Sequence, residues 1–157
     1  MFTICELIFA MLFFHFVFQH PIAKKVALGI AGAFLIYSSY YFYVEREFGY
    51  YGSIPATVES IIIICVSIYY LFEQINSPQS FFIYLTPQFW VVIGLLIFFA
   101  GSFFLFIYAS DFSKSELARY WNINYTFNIL KNLFFSIGFL MKNNKKGYPS
   151  LDRKYFS

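Results

Sequence analysis

The stretch FWVVIGLLIFFAGSFFLFIYA, from Phe89 to Ala109, contains no charged side chain. At about 1.5 Å per residue, a helix of this length spans the roughly 30 Å hydrocarbon core of a bilayer. A helix that is apolar on every side offers no surface to water, which the helices of a small soluble domain need. The stretch therefore predicts an integral membrane protein with the lipid bilayer as its first partner.

The composition of the whole chain supports the same class. Hydrophobic residues make up 60% of the 157 residues and charged residues 12%, whereas a soluble domain carries about 25% charged residues. The net charge of +3 is too small to indicate a nucleic-acid partner. The sequence shows no phosphate-binding glycine loop, no GxSxG turn and no paired metal-ligating histidines. We therefore expect no catalytic residue, no metal and no cofactor.

Five apolar segments are long enough to form membrane helices, and short polar stretches separate them. The predicted helices cover about 2–19, 26–44, 56–75, 88–109 and 119–141. Because the connections are short, consecutive helices are expected to be antiparallel neighbours. The sequence thus predicts an all-α membrane protein, a bundle of about five transmembrane helices in one domain (1–141), followed by a basic cytoplasmic tail (142–157).

The distribution of Lys and Arg predicts the orientation. If the N-terminus is outside, the outer side holds Arg46, Lys114 and Arg119. The cytoplasmic side then holds the larger basic set, which is Lys24, Lys25, Lys142, Lys145, Lys146, Arg153 and Lys154. Cytoplasmic loops carry an excess of Lys and Arg, so the N-out/C-in orientation is predicted.

Three of the five segments carry ionisable side chains inside the apolar run. The first holds Glu6 and His15, the third holds Glu59 and Glu73, and the fifth holds Lys131. A charge at the centre of an inserted helix costs roughly 2.5–3.5 kcal/mol on insertion scales. We therefore expect these three helices to face one another, with lipid contacting mostly the second and fourth.

The fifth segment holds the most specific polar pattern. Asn124, Asn128 and Lys131 recur at spacings of four and three residues, which places them on one side of a helix. Three interpretations are open. The residues form a ligand or ion site, or they bond between helices and fix the packing, or Lys131 extends to the cytoplasmic surface.

The predicted topology places Glu6, Glu59 and Asn124 in the same third of the bilayer, near its outer face. This predicts an outward-facing polar pocket, covered by the loop at 45–55, that binds a ligand or a partner. The alternative is that Glu6 and Glu59 have no binding role. They then lie about one turn from the ends of their helices, in the membrane–water interface, where a carboxylate complements the positive N-terminal end of a helix.

One face of the fourth segment combines Trp90, Gly94 and Gly101. Glycines on one face let the backbone of another helix approach closely, so this face is predicted to pack against a helix. Trp90 is expected at the cytoplasmic interface, where tryptophan is enriched.

The chain contains the runs FTICELIFAMLFF (2–14), PATVES (55–60), PQFWVVIGLLIFFAGSFFLF (87–106) and YWNINYTFNILKNLFFSIGF (120–139). Together they resemble a group of small polytopic bacterial membrane proteins that have no assigned activity. The residues that match the pattern of the group are Glu6, Glu59, Ser60, Trp90, Gly94, Gly101, Asn124 and Asn128. The resemblance implies a multi-pass protein of the bacterial inner membrane. Members of the group have two or more helices ahead of the glutamate-bearing one. The resemblance therefore implies that this chain is an internal part of a six- or seven-helix bundle or begins at a late start codon.

These observations predict a non-enzymatic sensing or scaffolding module that binds lipid, another membrane protein or further copies of itself. A small transporter or channel subunit that uses Glu59 and Lys131 is the alternative. A membrane-embedded enzyme that modifies lipids ranks third, because isolated carboxylates are its sole support.

Overall fold

The computed structural model describes residues 2–45, 53–76, 80–108 and 114–141. Within these ranges all regular secondary structure is helical, and no strand is present, which confirms the all-α class. The α-helices are α1 (Phe2–Val17), α2 (Pro21–Glu45), α3 (Ser53–Ile75), α4 (Pro87–Tyr108) and α5 (Lys114–Leu140). A 3-10 helix (Ser80–Leu85) precedes α4. The predicted cytoplasmic tail and most of the loop predicted to cover the polar pocket lie outside the described residues.

Two helices begin earlier than the apolar runs suggest. α2 begins at Pro21 rather than near residue 26, and α5 begins at Lys114 rather than near residue 119. Proline suits the first position of a helix, because the N–H that it lacks would have no partner inside the helix. Hydropathy locates the apolar part of a helix, whereas the backbone bonds continue into its polar ends.

Among the described residues, three helices are long and apolar enough to cross a membrane. The candidate spans are Pro21–Val44 in α2, Ile54–Ile75 in α3 and Pro87–Leu105 in α4. α1 contributes the shorter apolar stretch Thr3–Val17. The described part of the chain is therefore an all-helical bundle with three candidate membrane spans.

The central helix of the bundle is α4, which packs against α3 on one side and α5 on the other. Its side chains Val92, Leu95, Phe98 and Phe99 are buried. The expectation that the fourth helix contacts mostly lipid is therefore wrong. An apolar helix carries no polar face, so its sequence does not distinguish the side that meets protein from the side that meets lipid. α2 packs on α1 and keeps most of its length exposed, as expected.

Glycines set the register between α4 and the antiparallel α5. A methyl group at Gly101 would lie 2.5 Å from ring carbons of Phe127, and one at Gly94 would lie 3.1 Å from the backbone oxygen of Lys131. At the other end of the helix pair, a methyl group at Gly138 would lie 3.0 Å from the backbone oxygen of Pro87. The two helices are therefore in close contact over most of the length of α4.

Candidate functional site

A cluster of three ionisable side chains lies inside the bundle, formed by Glu6 of α1, Glu59 of α3 and Lys131 of α5. Lys131 Nζ lies 3.1 Å from Glu6 Oε1, close enough for a charged hydrogen bond. The Lys131 side chain is 13% exposed and the Glu6 side chain 37%. We call Glu6, Glu59 and Lys131 the charged cluster. Its ion pair links the first described helix to the last.

The ammonium group of Lys131 has a second favourable neighbour in α4. Its Nζ lies 3.9 Å from the centroid of the Phe98 ring, within the range of a cation–π interaction. Lys131 therefore points at Glu6 and Phe98 inside the protein. The structure does not show the extension of this side chain towards the cytoplasmic surface that was one of its three interpretations.

Glu59 is the most deeply buried member of the charged cluster. The residue is 3% exposed, and its Oε1 atom has no hydrogen-bond partner among the described residues. Both Glu6 and Lys131 lie within electrostatic range of its carboxyl group. The neighbouring Ser60 donates its hydroxyl to the backbone oxygen of Ala56 at 2.8 Å instead. A buried carboxyl oxygen without a partner is costly, so this atom is the chemically unsatisfied point of the cluster.

Asn124 was expected beside Glu6 and Glu59, but the structure bonds it to α4. Ser102 Oγ donates to Asn124 Oδ1 at 2.6 Å, and Ser102 is fully buried. The glycine contacts fix the register of α5 so that Asn124 meets Ser102, while Lys131 reaches Glu6 with its longer side chain. For Asn124, bonding between helices is thus the interpretation that the structure supports.

A second polar feature follows the side of α5 that faces away from α4. Its members are exposed except for the half-buried Asn128, and we call Asn122, Thr126, Asn128, Asn132 and Ser136 the α5 polar stripe. Asn132 Nδ2 donates to Asn128 Oδ1 at 3.4 Å. The hydroxyls of Thr126 and Ser136 donate to backbone oxygens one turn earlier in α5. Since an Asn amide offers two donors and an acceptor, the stripe retains capacity for bonds to another molecule.

The opposite end of the bundle is held by bonds to backbone groups. The Glu73 carboxylate accepts the backbone N–H of His20 at 2.8 Å and that of Gln19 at 3.3 Å. Trp90 stacks on Phe134, with ring centroids 5.9 Å apart, and its indole N–H donates to a backbone oxygen of the 3-10 helix. These contacts tie the α1–α2 connection and the 3-10 helix to the bundle.

An apolar groove of about 340 Å³ lies among α1, α2 and α3. Its walls include Phe18, Ala27, Ile30, Val66 and Tyr69. Such a lining matches the surface of lipid acyl chains, but it supplies little that would select one molecule over another.

Sequence reasoning identified Glu6, Glu59 and Lys131 but missed two α4 residues that contact the polar groups. Ser102 is the one serine in the apolar stretch from Phe89 to Ala109, which has no threonine, and that exception could have marked it as a bonding partner. Phe98 carried no signal, because it is one of many phenylalanines on the same helix.

In the described part of the chain, no three His, Cys, Asp or Glu side chains are placed to hold a metal ion. Comparison of the sequence with protein-family models gave no match, and comparisons with curated proteins and with solved structures gave none either. The function must therefore be inferred from the chemistry of the charged cluster and of the α5 polar stripe.

Proposed function

We propose that this protein is a non-enzymatic sensing or scaffolding module of the bacterial inner membrane, and that it binds a second membrane protein through the α5 polar stripe. The observation that carries the proposal is the exposure of hydrogen-bonding side chains at the depth of the most apolar helix. The module is a five-helix bundle with its N-terminus outside and its C-terminus inside.

The depth of the stripe follows from the packing of α5 on α4. Gly101 lies against Phe127 and Gly94 against Lys131, so Asn128 is level with the middle of α4. α4 contains a candidate span, and its middle lies near the centre of the bilayer in this proposal. The amide of Asn128 and its neighbours in the stripe would then face hydrocarbon.

Lipid chains offer neither donors nor acceptors to an exposed amide. Asn, Ser and Thr side chains in membranes bond across helix interfaces instead, each bond contributing about 0.6 kcal/mol on average. A transmembrane helix with hydrogen-bonding side chains of its own is the partner that fits this surface. The groups at Glu6, Glu59 and Asn124, which the sequence suggested for partner binding, are buried or already bonded within the chain.

The charged cluster supports a membrane-spanning position for α1 and α5, which are not among the candidate spans. Glu6 and Lys131 each disfavour insertion of a single helix. Paired at 3.1 Å they offset one another, and the close packing on α4 holds α5 at the depth of that helix. The N-out/C-in orientation rests on the distribution of Lys and Arg.

The test is native mass spectrometry of the protein released gently from its own membrane. We expect a second membrane protein at defined stoichiometry, and we expect it to be lost from an Asn128→Leu, Asn132→Leu double variant. These substitutions make α5 more apolar, so insertion is not compromised. Ser39→Leu, at an exposed polar site on α2, is the matched control and should keep the partner. If the double variant retains the partner, the proposal is wrong.

The charged cluster favours a second candidate, a small transporter or channel subunit that uses Glu59 and Lys131. Ionisable side chains within membranes commonly mark ion and proton paths. This candidate predicts pH-dependent flux in proteoliposomes. Flux that is unchanged by Glu59→Gln and by Lys131→Met would eliminate it.

A further inference from the structure

We propose that the charged cluster is a binding site for one monovalent cation, H⁺ or Na⁺, at the free carboxyl oxygen of Glu59. The proposal goes beyond partner binding, which uses the side of α5 that faces away from α4. The charged cluster lies inside the bundle instead. It requires no transport, since a bound cation can also serve as a structural or sensing element.

The first step is the charge of the cluster. Two carboxyl groups and one ammonium group carry one excess negative charge when all three are ionised. Lys131 is bonded to Glu6 at 3.1 Å, and the Oε1 atom of Glu59 has no hydrogen-bond partner among the described residues. A backbone N–H of Leu7 bonds to the Glu59 carboxyl group, but it carries no full charge. An uncompensated charge is among the most expensive groups to bury, so the cluster is incomplete with these three side chains alone.

The second step is the surroundings of Glu59. The charged groups that reach it are Glu6 from α1 and Lys131 from α5. Between Pro87 and Leu105, α4 has no ionisable side chain. On α3 itself, Ser60 already donates its hydroxyl to a backbone oxygen. The described neighbours therefore supply no second positive charge.

The geometry of the Glu59 carboxyl group also favours a bound cation. Glu59 is 3% exposed and its Oε1 atom is unpartnered, so a cation there would supply both the missing charge and the missing contact. A proton would complete a neutral carboxyl group. Sodium would be bound by the Glu59 carboxylate, with the Glu6 carboxylate within electrostatic range. The Glu6 side chain is 37% exposed.

The experiment compares the full chain with Glu59→Gln and Glu6→Gln, each of which leaves one carboxylate opposite Lys131 and removes the excess charge. Glu73→Gln is the control, because Glu73 lies on the same helix and binds backbone N–H groups at its far end. Infrared spectra in detergent at neutral pH detect the carbonyl band of a protonated carboxyl group. Thermal unfolding, with choline replaced by Na⁺ at constant ionic strength, detects sodium binding.

A protonated-carboxyl band that is present in the wild type and in Glu73→Gln but lost in both cluster variants assigns the cation as H⁺. A rise of the unfolding temperature with Na⁺ that shows the same pattern assigns it as Na⁺. The proposal is overturned if the wild type gives neither signal. It is also overturned if the signal survives in Glu6→Gln. Glu6→Gln also provides the comparison if Glu59→Gln does not fold. Because the partner is detected by mass spectrometry, failure here leaves the proposed function intact.

Discussion

Removing the positive charge from the charged cluster should destabilise the protein far more than removing one of its negative charges. Lys131→Met keeps the length of the side chain but leaves Glu6 and Glu59 facing one another without a counter-charge. Glu6→Gln leaves Lys131 within range of Glu59, which can become its new partner. A simple two-residue ion pair would not show this asymmetry, since each single change would leave one unpaired charge.

The distances and exposures set the size of the effect. At an effective dielectric constant of about 20, two unit charges 3.1 Å apart attract by about 5 kcal/mol before the cost of desolvation. Breaking a fully buried ion pair by removing one partner costs about 3–5 kcal/mol. Glu6 is 37% exposed, so the value for this pair is lower. We expect Lys131→Met to cost about 2–3 kcal/mol and Glu6→Gln less than about 1 kcal/mol.

The free energy of unfolding is measured in mixed micelles by raising the fraction of denaturing detergent. Trp90 stacks on Phe134, so its fluorescence reports the separation of α4 from α5. The double variant Glu6→Gln, Lys131→Met should lose less than the sum of the two single variants, because they share one interaction. If Glu6→Gln is as costly as Lys131→Met, Lys131 does not exchange partners, and the view of Glu59 as a member of the cluster is refuted.

Three further predictions concern packing and hydrogen bonds. Gly101→Ala should lower the free energy of unfolding by about 1–3 kcal/mol, since the added methyl group meets an aromatic ring. The control Gly29→Ala, where no atom lies within 4 Å, should be neutral or stabilising. Equal effects of the two substitutions would contradict the close contact at Gly101. Ser102→Ala should cost about 1 kcal/mol in the same unfolding assay, because it removes a buried bond between helices, and an unchanged stability would show that the bond contributes nothing. Glu73→Gln should speed hydrogen exchange at the backbone amide of His20, measured by mass spectrometry, with little change in global stability; unchanged exchange would show that the carboxylate does not protect that amide.

The sequence was sufficient to identify the all-α class and the five α-helices of the described residues, because apolar runs and their polar separators are local signals. It also identified Glu6, Glu59 and Lys131, since an ionisable residue in an apolar run is conspicuous. Which of them pair was not predictable, because that depends on the register between helices. The glycines of α4 set that register, and their spacing shows that a helix packs closely without showing which residue of α5 it meets.

The position of α4 could not be predicted for a different reason. In a soluble protein, a polar face shows which side of a helix meets water. In a membrane, lipid and protein core are both apolar, so the buried Phe99 and the exposed Phe104 have the same chemistry in the sequence. Gly94 and Gly101 were the informative residues, because a closely packed helix needs a residue without a side chain at the contact, whereas lipid does not.

The Glu6–Lys131 pair also has a consequence for assembly of the proposed five-span bundle. Its members lie on the first and last described helices, so the bond cannot form until α5 is in place. Before that stage, Glu6 and Glu59 lack the positive charge of Lys131. Packing of α5 along the glycine face of α4 brings Lys131 to them. The side chains that make α1 and α5 poor single spans therefore bond to one another in the finished bundle.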